Sequence, residues 1–247
     1  MPFPTWPITL GKGGPYDYVA PNMHDSLQAY WLLGEASGTR NDSHSTNHLT
    51  DNNTVTQAAG IQGNAAQFTA ATSESLSIAD NAALSMGDID FTVCCWAYLD
   101  STGVTRDLLT KHMSVGDQRA YRLNIQASNE AFFYVDPLGT SIGEASILAT
   151  TFGAWTAATW HFVIAWHDAT ANTINIQVDN TGVNSTAFTL GVFDNTAAFQ
   201  LGNSGNNDAF HNGRVDEAAV WKRVLTADER SYMYNSGLGR TYPLTTP

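Results

Sequence analysis

Basic side chains are scarce. Of 247 residues only 11 are Lys or Arg, against 23 Asp or Glu, so the formal charge is −12 at pH 7. Binding a phosphate backbone requires a basic face that displaces counterions, so nucleic acid is excluded as the expected partner. Charge of either sign is thin, at 14% of residues against about 25% in an average globular protein. Apolar material is plentiful, 43% hydrophobic and 11% aromatic, enough for a sizeable core and too much for a disordered chain. No apolar run reaches the ~18 residues of a membrane span. The opening MPFPTWPITLGKGG carries prolines at 2, 4 and 7 where a secretion leader would be basic and then apolar. Neither membrane insertion nor export through a leader is expected.

Cysteine is almost missing. Cys94 and Cys95 are neighbours, and in a strand their side chains point to opposite faces, so a bond between them would strain the backbone. Free, buried thiols are expected, and synthesis in a reducing cytoplasm suits them. A redox or metal role would need a second cluster, which the chain lacks.

What is present is strand and turn. Residues 1–23 hold five of the eight prolines and three of the 20 glycines, which resists helix and central strand alike. The segment reads as an extended arm, and its Phe3, Trp6, Ile8, Tyr16 and Tyr18 predict that it lies on its own domain or on another subunit. Residues 24–247 read as one domain. Short apolar or alternating runs recur there at 27–33, 65–69, 75–79, 90–99, 107–112, 120–126, 131–135, 146–150, 159–167, 173–178, 183–189, 198–201 and 214–221, separated by polar turns. That is too many strands for one ordinary sheet, so two packed antiparallel sheets are predicted. In the 173–178 run, Ile174, Ile176 and Val178 share one face, and Asn175 and Gln177 the other. Helix is rare: Thr226 and Glu229 have capping-box spacing, predicting a short helix over 227–235 that Gly237 stops and that Leu225, Tyr232 and Met233 seat on the sandwich.

Five segments in order, AYWLLGEASGTRNDS (29–43), GNAAQF (63–68), SLSIADNAALS (75–85), DIDFTVCCWAY (88–98) and GRVDEAAVWKRVLTADER (213–230), resemble the concanavalin A-like, laminin-G-like domains over residues 27–238. The resemblance implies an all-β, two-sheet antiparallel jelly-roll sandwich with one short C-terminal helix, a fold used by lectins, adhesion modules and some glycan hydrolases. It also implies that the strand 215–221 lies beside the opening strand around Trp31, and that Trp160 rather than Trp155 packs inside.

Hydrolases of this fold place paired carboxyl groups on one strand as Glu-x-Asp-x-x-Glu, a pattern missing here. Asp88 with Asp90 reads as turn chemistry. Asp216 and Glu217 are adjacent and predicted to face opposite ways. No nucleophile elbow, zinc-protease motif or phosphate loop occurs, so the chain is expected not to be an enzyme. Seventeen of the 23 acids are Asp, which suits either calcium ligation or β-turns. The loop 41–48 is similar to a family turn found near a structural cation, and the resemblance brings the closing-strand Asp216 towards it. Two readings stay open: calcium bound by Asp42, Asn47 and Asp216, or turn capping with a sheet-end hydrogen bond. His112, His161 and His167 read as hydrogen-bonded sheet residues; only His44 and His48, in a loop, have zinc-like spacing, and a transition-metal site needs two or three convergent histidines, so no zinc and no cofactor other than calcium is expected.

Sugar binding needs aromatic platforms beside planar polar groups. Trp31, Trp96, Trp166 and Trp221 fall in strands and read as core. Tyr134 and Phe210, with Asn206 and Asp208 of the oxygen-rich loop 202–208, are the better exposed candidates for ligand binding. The combined reading is a non-catalytic binding or assembly module: a phage virion surface protein, made in host cytoplasm, whose arm attaches it to a capsid or tail surface, with glycans as ligands and homo-oligomers compatible. The alternative is a bacterial carbohydrate-binding or adhesion module outside the cell, and the third a diverged glycosidase.

Overall fold

The computed structural model describes residues 22–244. The first of its two antiparallel sheets contains β1 (Leu27–Trp31), β3 (Thr56–Ala59), β4 (Asn64–Phe68), β6 (Phe91–Leu99), β11 (Trp160–Asp168), β12 (Thr173–Val178), β13 (Asn184–Ala187) and β15 (Gly213–Trp221). The second contains β2 (Thr50–Asn52), β5 (Ser75–Ile78), β7 (Arg106–Met113), β8 (Gln118–Ile125), β9 (Ala131–Val135), β10 (Ala145–Leu148) and β14 (Phe199–Leu201). Strands run β13-β12-β11-β6-β15-β4-β3 across the first, and β10-β9-β8-β7-β14-β5-β2 across the second. One edge of β15 serves two partners: Gly213 to Val215 pair with β4, and Ala218 to Trp221 with β1. The closing strand thus lies beside Trp31, as the resemblance implied. Most of the expected arm, residues 1–21, lies outside the described residues; Met23, at its end, is buried.

Alternation along β6 explains the layering. Phe91, Val93, Cys95, Ala97 and Leu99 enter the core between the sheets, while Cys94 and Trp96 enter a second cluster on the outer side of the first sheet. That second cluster is roofed by α1 (Ala227–Tyr234), Leu225 and Leu244. Thr226 Oγ1 accepts the Glu229 amide N–H, and the Glu229 carboxylate accepts that of Thr226, so the capping box starts the helix as the spacing predicts. Both cysteines are buried and unpaired.

Three expectations change. The short strands β2 and β3 were not among the predicted runs; they are sheet edges, β2 mostly half-buried and β3 mostly exposed, and carry no buried alternation to read. Trp155, not Trp160, is the tryptophan of its loop that joins the inter-sheet core, whereas Trp160 is only half-buried, against Tyr98. Asp216 and Glu217 do not face opposite ways. A bulge between Asp216 and Ala219, with Glu217 at φ 48°, puts both carboxyl groups on the outer side of the sheet. Asp216 there accepts the N–H groups of Ile61 (2.8 Å) and Gln62 (3.2 Å), and Glu217 meets Tyr30 and Thr241.

Candidate functional site

The second sheet turns a polar face away from the core. Register aligns Thr50, Ser77, Gln200, Thr110, Arg122, Tyr134 and Ser146 in one row across all seven strands. The next row, Leu76, Leu201, Leu109, Leu123 and Phe133, points inward, because consecutive strand residues take opposite faces.

The loop 202–212 crosses this polar face and divides it. Thr110 Oγ1 donates to Asn203 O (2.7 Å), the Asp107 N–H to Ala209 O (2.8 Å) and Arg106 Nη1 to Phe210 O (2.8 Å). Asn206 Oδ1 accepts from both the Ser114 N–H (2.7 Å) and its hydroxyl (2.6 Å). Gly202, at φ 80°, lets the chain leave β14 against the Phe68 ring, where a Cβ would lie 2.6 Å from a ring carbon.

Between this loop and the β5-β2 edge lies a groove of about 610 Å³. Ser75, Ser77 and Gln200 form its floor, Asn52, Asn53 and Ser73 one wall, and Asn207 and Phe210 the other. None of these side chains is charged. Asn52 Nδ2 donates to Ser77 Oγ (2.9 Å), Asn53 Nδ2 to Ser73 O (2.8 Å), and Asn203 Nδ2 to Asn207 Oδ1 (2.7 Å), so the amides are oriented by neighbours. The Gln200 amide has no hydrogen-bond partner among the described residues. Hydroxyls and oriented amides beside one half-buried phenyl ring are the chemistry that ligates a sugar's hydroxyls and covers its C–H face.

Of the four predicted ligand residues only Phe210 lines the groove. Asn206 is used up anchoring the loop. Asp208 is exposed, 3.9 Å from Arg122 Nη2. Tyr134, predicted exposed, is buried on the far side of the loop: its hydroxyl lies 2.9 Å from Asp136 Oδ2 and 2.8 Å from Glu144 Oε2, and its ring meets His112 edge-on. Burial, reinforced by those carboxylates, holds its phenol protonated. Nearby, fully buried Asp107 takes Arg122 bidentately at 2.5 and 3.1 Å; burial raises its pKa although Arg122 opposes. The groove's own signal was readable, since Ser75 and Ser77 alternate with Leu76 and Ile78, but Asn52 ends the unread edge strand, Asn53 follows it in a bend, and Gln200 sits in a three-residue strand.

Asp42 and Asn47 come together; Asp216 does not join them. Asp42 Oδ1 accepts the N–H groups of Tyr30 (3.0 Å) and His44 (2.9 Å), and Oδ2 accepts that of Asn47 (3.0 Å). Asn47 Nδ2 donates to Gln28 O (2.9 Å), while Asp216 binds the separate turn at Ile61 and Gln62. Among the described residues no three His, Cys, Asp or Glu side chains converge as metal ligands. His161 Nδ1 lies 2.7 Å from Asp179, and His167 Nδ1 2.9 Å from Ile89 O, both as sheet residues.

A family model described as the concanavalin A-like lectin/glucanases superfamily matches residues 70–229, more than half of the chain. No curated protein matches by sequence. Among solved structures, the binding domain of Paraclostridial Mosquitocidal Protein 1 superposes with a TM-score of 0.71 at 13% identity, over 87% of this chain and 53% of that one. Domain 4 of AbnA, a GH43 extracellular arabinanase from Geobacillus stearothermophilus in complex with arabinotriose, gives 0.63 at 15% identity, over 87% of this chain and 98% of that one. The botulinum neurotoxin serotype D ligand-binding domain, in complex with N-acetylneuraminic acid, gives 0.63 at 9% identity, over 86% of this chain and 51% of that one. The chain thus spans about half of each toxin domain. At these identities the likeness is one of fold.

Proposed function

Because the chain belongs to the concanavalin A-like lectin/glucanases superfamily, whose fold serves several functions, we propose from its own groove that it is a non-catalytic glycan-binding module. Its ligand on this reading is a neutral oligosaccharide. The observation that carries the reading is the uncharged lining: three serines, four side-chain amides and Phe210, with no carboxylate to act as acid or nucleophile. A chain of charge −12 repels acidic sugars at long range, and the groove offers no cation to offset that. The arabinotriose bound by the similar arabinanase domain has the same uncharged chemistry.

For its setting we favour a virion surface protein attached through residues 1–23, supported by the buried free thiols, which suit cytoplasmic folding, and by the apolar, proline-rich composition of that segment. Calorimetry with arabinotriose and other neutral oligosaccharides, beside N-acetylneuraminic acid, tests the ligand class. Neutral sugars should bind, with Phe210→Ala weakening affinity about tenfold, equivalent to about 1.4 kcal/mol. Preference for the acidic sugar, an unaffected Phe210→Ala variant, or release of reducing ends would overturn the proposal.

A further inference from the structure

Away from the groove, the fold gathers two imidazoles and a phenol from three parts of the chain. His24, in the turn before β1, and His44, in the loop 41–48, approach with ring centroids 5.8 Å apart and planes inclined at 43°. Tyr242 closes the cluster, its ring 5.2 Å from that of His24 and 6.1 Å from that of His44. All three are half-buried.

Their backbones are held in place. The His24 N–H donates to Asn22 Oδ1 (3.1 Å), the His44 N–H to Asp42 Oδ1 (2.9 Å), and Tyr30 Oη to Arg240 O (3.0 Å), which pins the C-terminal segment over β1. The ring atoms are only lightly engaged. His24 Nε2 is 3.2 Å from Leu244 O, and Tyr242 Oη is 3.5 Å from His44 Nδ1, too long for a strong hydrogen bond. His24 Nδ1 has no hydrogen-bond partner among the described residues, and His44 Nδ1, the nitrogen on the Tyr242 side, faces only that phenol oxygen, at about the separation of two donors on one tetrahedral ion.

The spacing suits a shared ion. With Zn–N bonds of about 2.0–2.1 Å, an imidazole centroid lies about 3.2 Å from the metal, so two imidazoles on one tetrahedral ion have centroids about 5–6 Å apart. The geometry points to a site for one borderline transition-metal ion of the Zn2+, Ni2+ and Cu2+ class, bound by the His24 and His44 imidazoles and the Tyr242 phenol oxygen, with water completing the shell. Two nitrogens in the donor set select this class over calcium, which takes oxygen. Such an ion joins the segment 239–244 to the loop 41–48 and to the start of β1, tying both ends of the sandwich domain together.

The test uses the full chain, stripped with chelator and dialysed, then titrated separately with ZnCl2, NiCl2 and CaCl2 while calorimetry and the melting temperature are followed. Zn2+ and Ni2+ should bind and raise the melting temperature, because a ligand held only by the folded state stabilises it. His24→Gln and His44→Gln should each weaken binding at least about tenfold, with circular dichroism verifying that both fold. His48→Gln should bind like the parent, since His48 is exposed and its Nδ1 already accepts the Asp42 N–H. Unchanged affinity in His24→Gln, loss confined to His48→Gln, equal response to CaCl2, or no binding at about 1 mM metal would each overturn the assignment.

Discussion

Lys111 Nζ lies 2.7 Å from Asp80 Oδ1, with the lysine side chain only 1% exposed. Three more oxygens complete a cage: Asn195 O at 2.7 Å, Asn195 Oδ1 at 2.6 Å and Ala197 O at 3.0 Å. Burial pushes the lysine pKa down, and Asp80 opposes the shift. The ammonium thus fastens the turn after β5 and the segment before β14 to the sheet. Lys111→Met keeps the stem but strands the acceptors, so it should cost about 3–5 kcal/mol in urea denaturation. A loss under about 1 kcal/mol would mean that water replaces the ammonium.

Buried acids and buried histidines act in opposite directions with pH. Burial raises Asp216 from 3.8 to about 7 and Glu217 from 4.5 to about 8. Protonation of these acids therefore favours the folded state: their contribution is complete below the unfolded values and lost as pH rises through 7 and 8. Burial lowers His112 and His211 from 6.5 to about 4, so their contribution is present above 6.5 and lost as pH falls towards 4. Melting temperature should peak in mildly acidic solution and decline on both sides, and Glu217→Gln should flatten the alkaline limb. A parent curve still climbing beyond pH 8 would contradict the assignment.

Tyr134 is a test of burial against recognition. A phenol has one proton to donate, and here two carboxylates compete for it. Asp136 also accepts the N–H groups of Leu138, Gly139 and Ser141, so it stays satisfied without the phenol. Tyr134→Phe should cost about 1–2 kcal/mol of stability and leave oligosaccharide affinity unchanged. A selective loss of affinity at intact stability would move the binding site across the loop 202–212.

Thr226→Ala removes one half of the capping box and should lower stability by about 1 kcal/mol. Glu229 remains bound to Arg223 at 2.7 Å through both oxygens, so the helix should persist. Amide exchange would report this as faster opening in 227–230 alone; exchange rising throughout the sheets would show that the helix supports more than its own first turn.

Residue order alone settled the architecture where burial is periodic. Along β6, Phe91, Val93 and Cys95 alternate with Thr92, Cys94 and Trp96, and the two-residue period of a strand turns that pattern into two packed faces. The same alternation, Ser75 and Ser77 against Leu76, made part of the groove floor legible. It was silent at β2, an edge strand without a fully buried position, and so Asn52, and Asn53 in the bend after it, were missed. It misled at Asp216 and Glu217, where one bulged residue reverses the facing of the rest of the strand.

Composition and local pattern therefore determined the sandwich, its helix cap and the free thiols, because each depends on neighbours within a few positions. Only the tertiary structure decided that Phe210 faces Asn52 across a groove, that Tyr134 is sealed beneath carboxylates, and that His24 meets His44 and Tyr242. Those meetings depend on strand register and loop path, which bring together residues as far apart as His24 and Tyr242 and leave no period in the chain to be read.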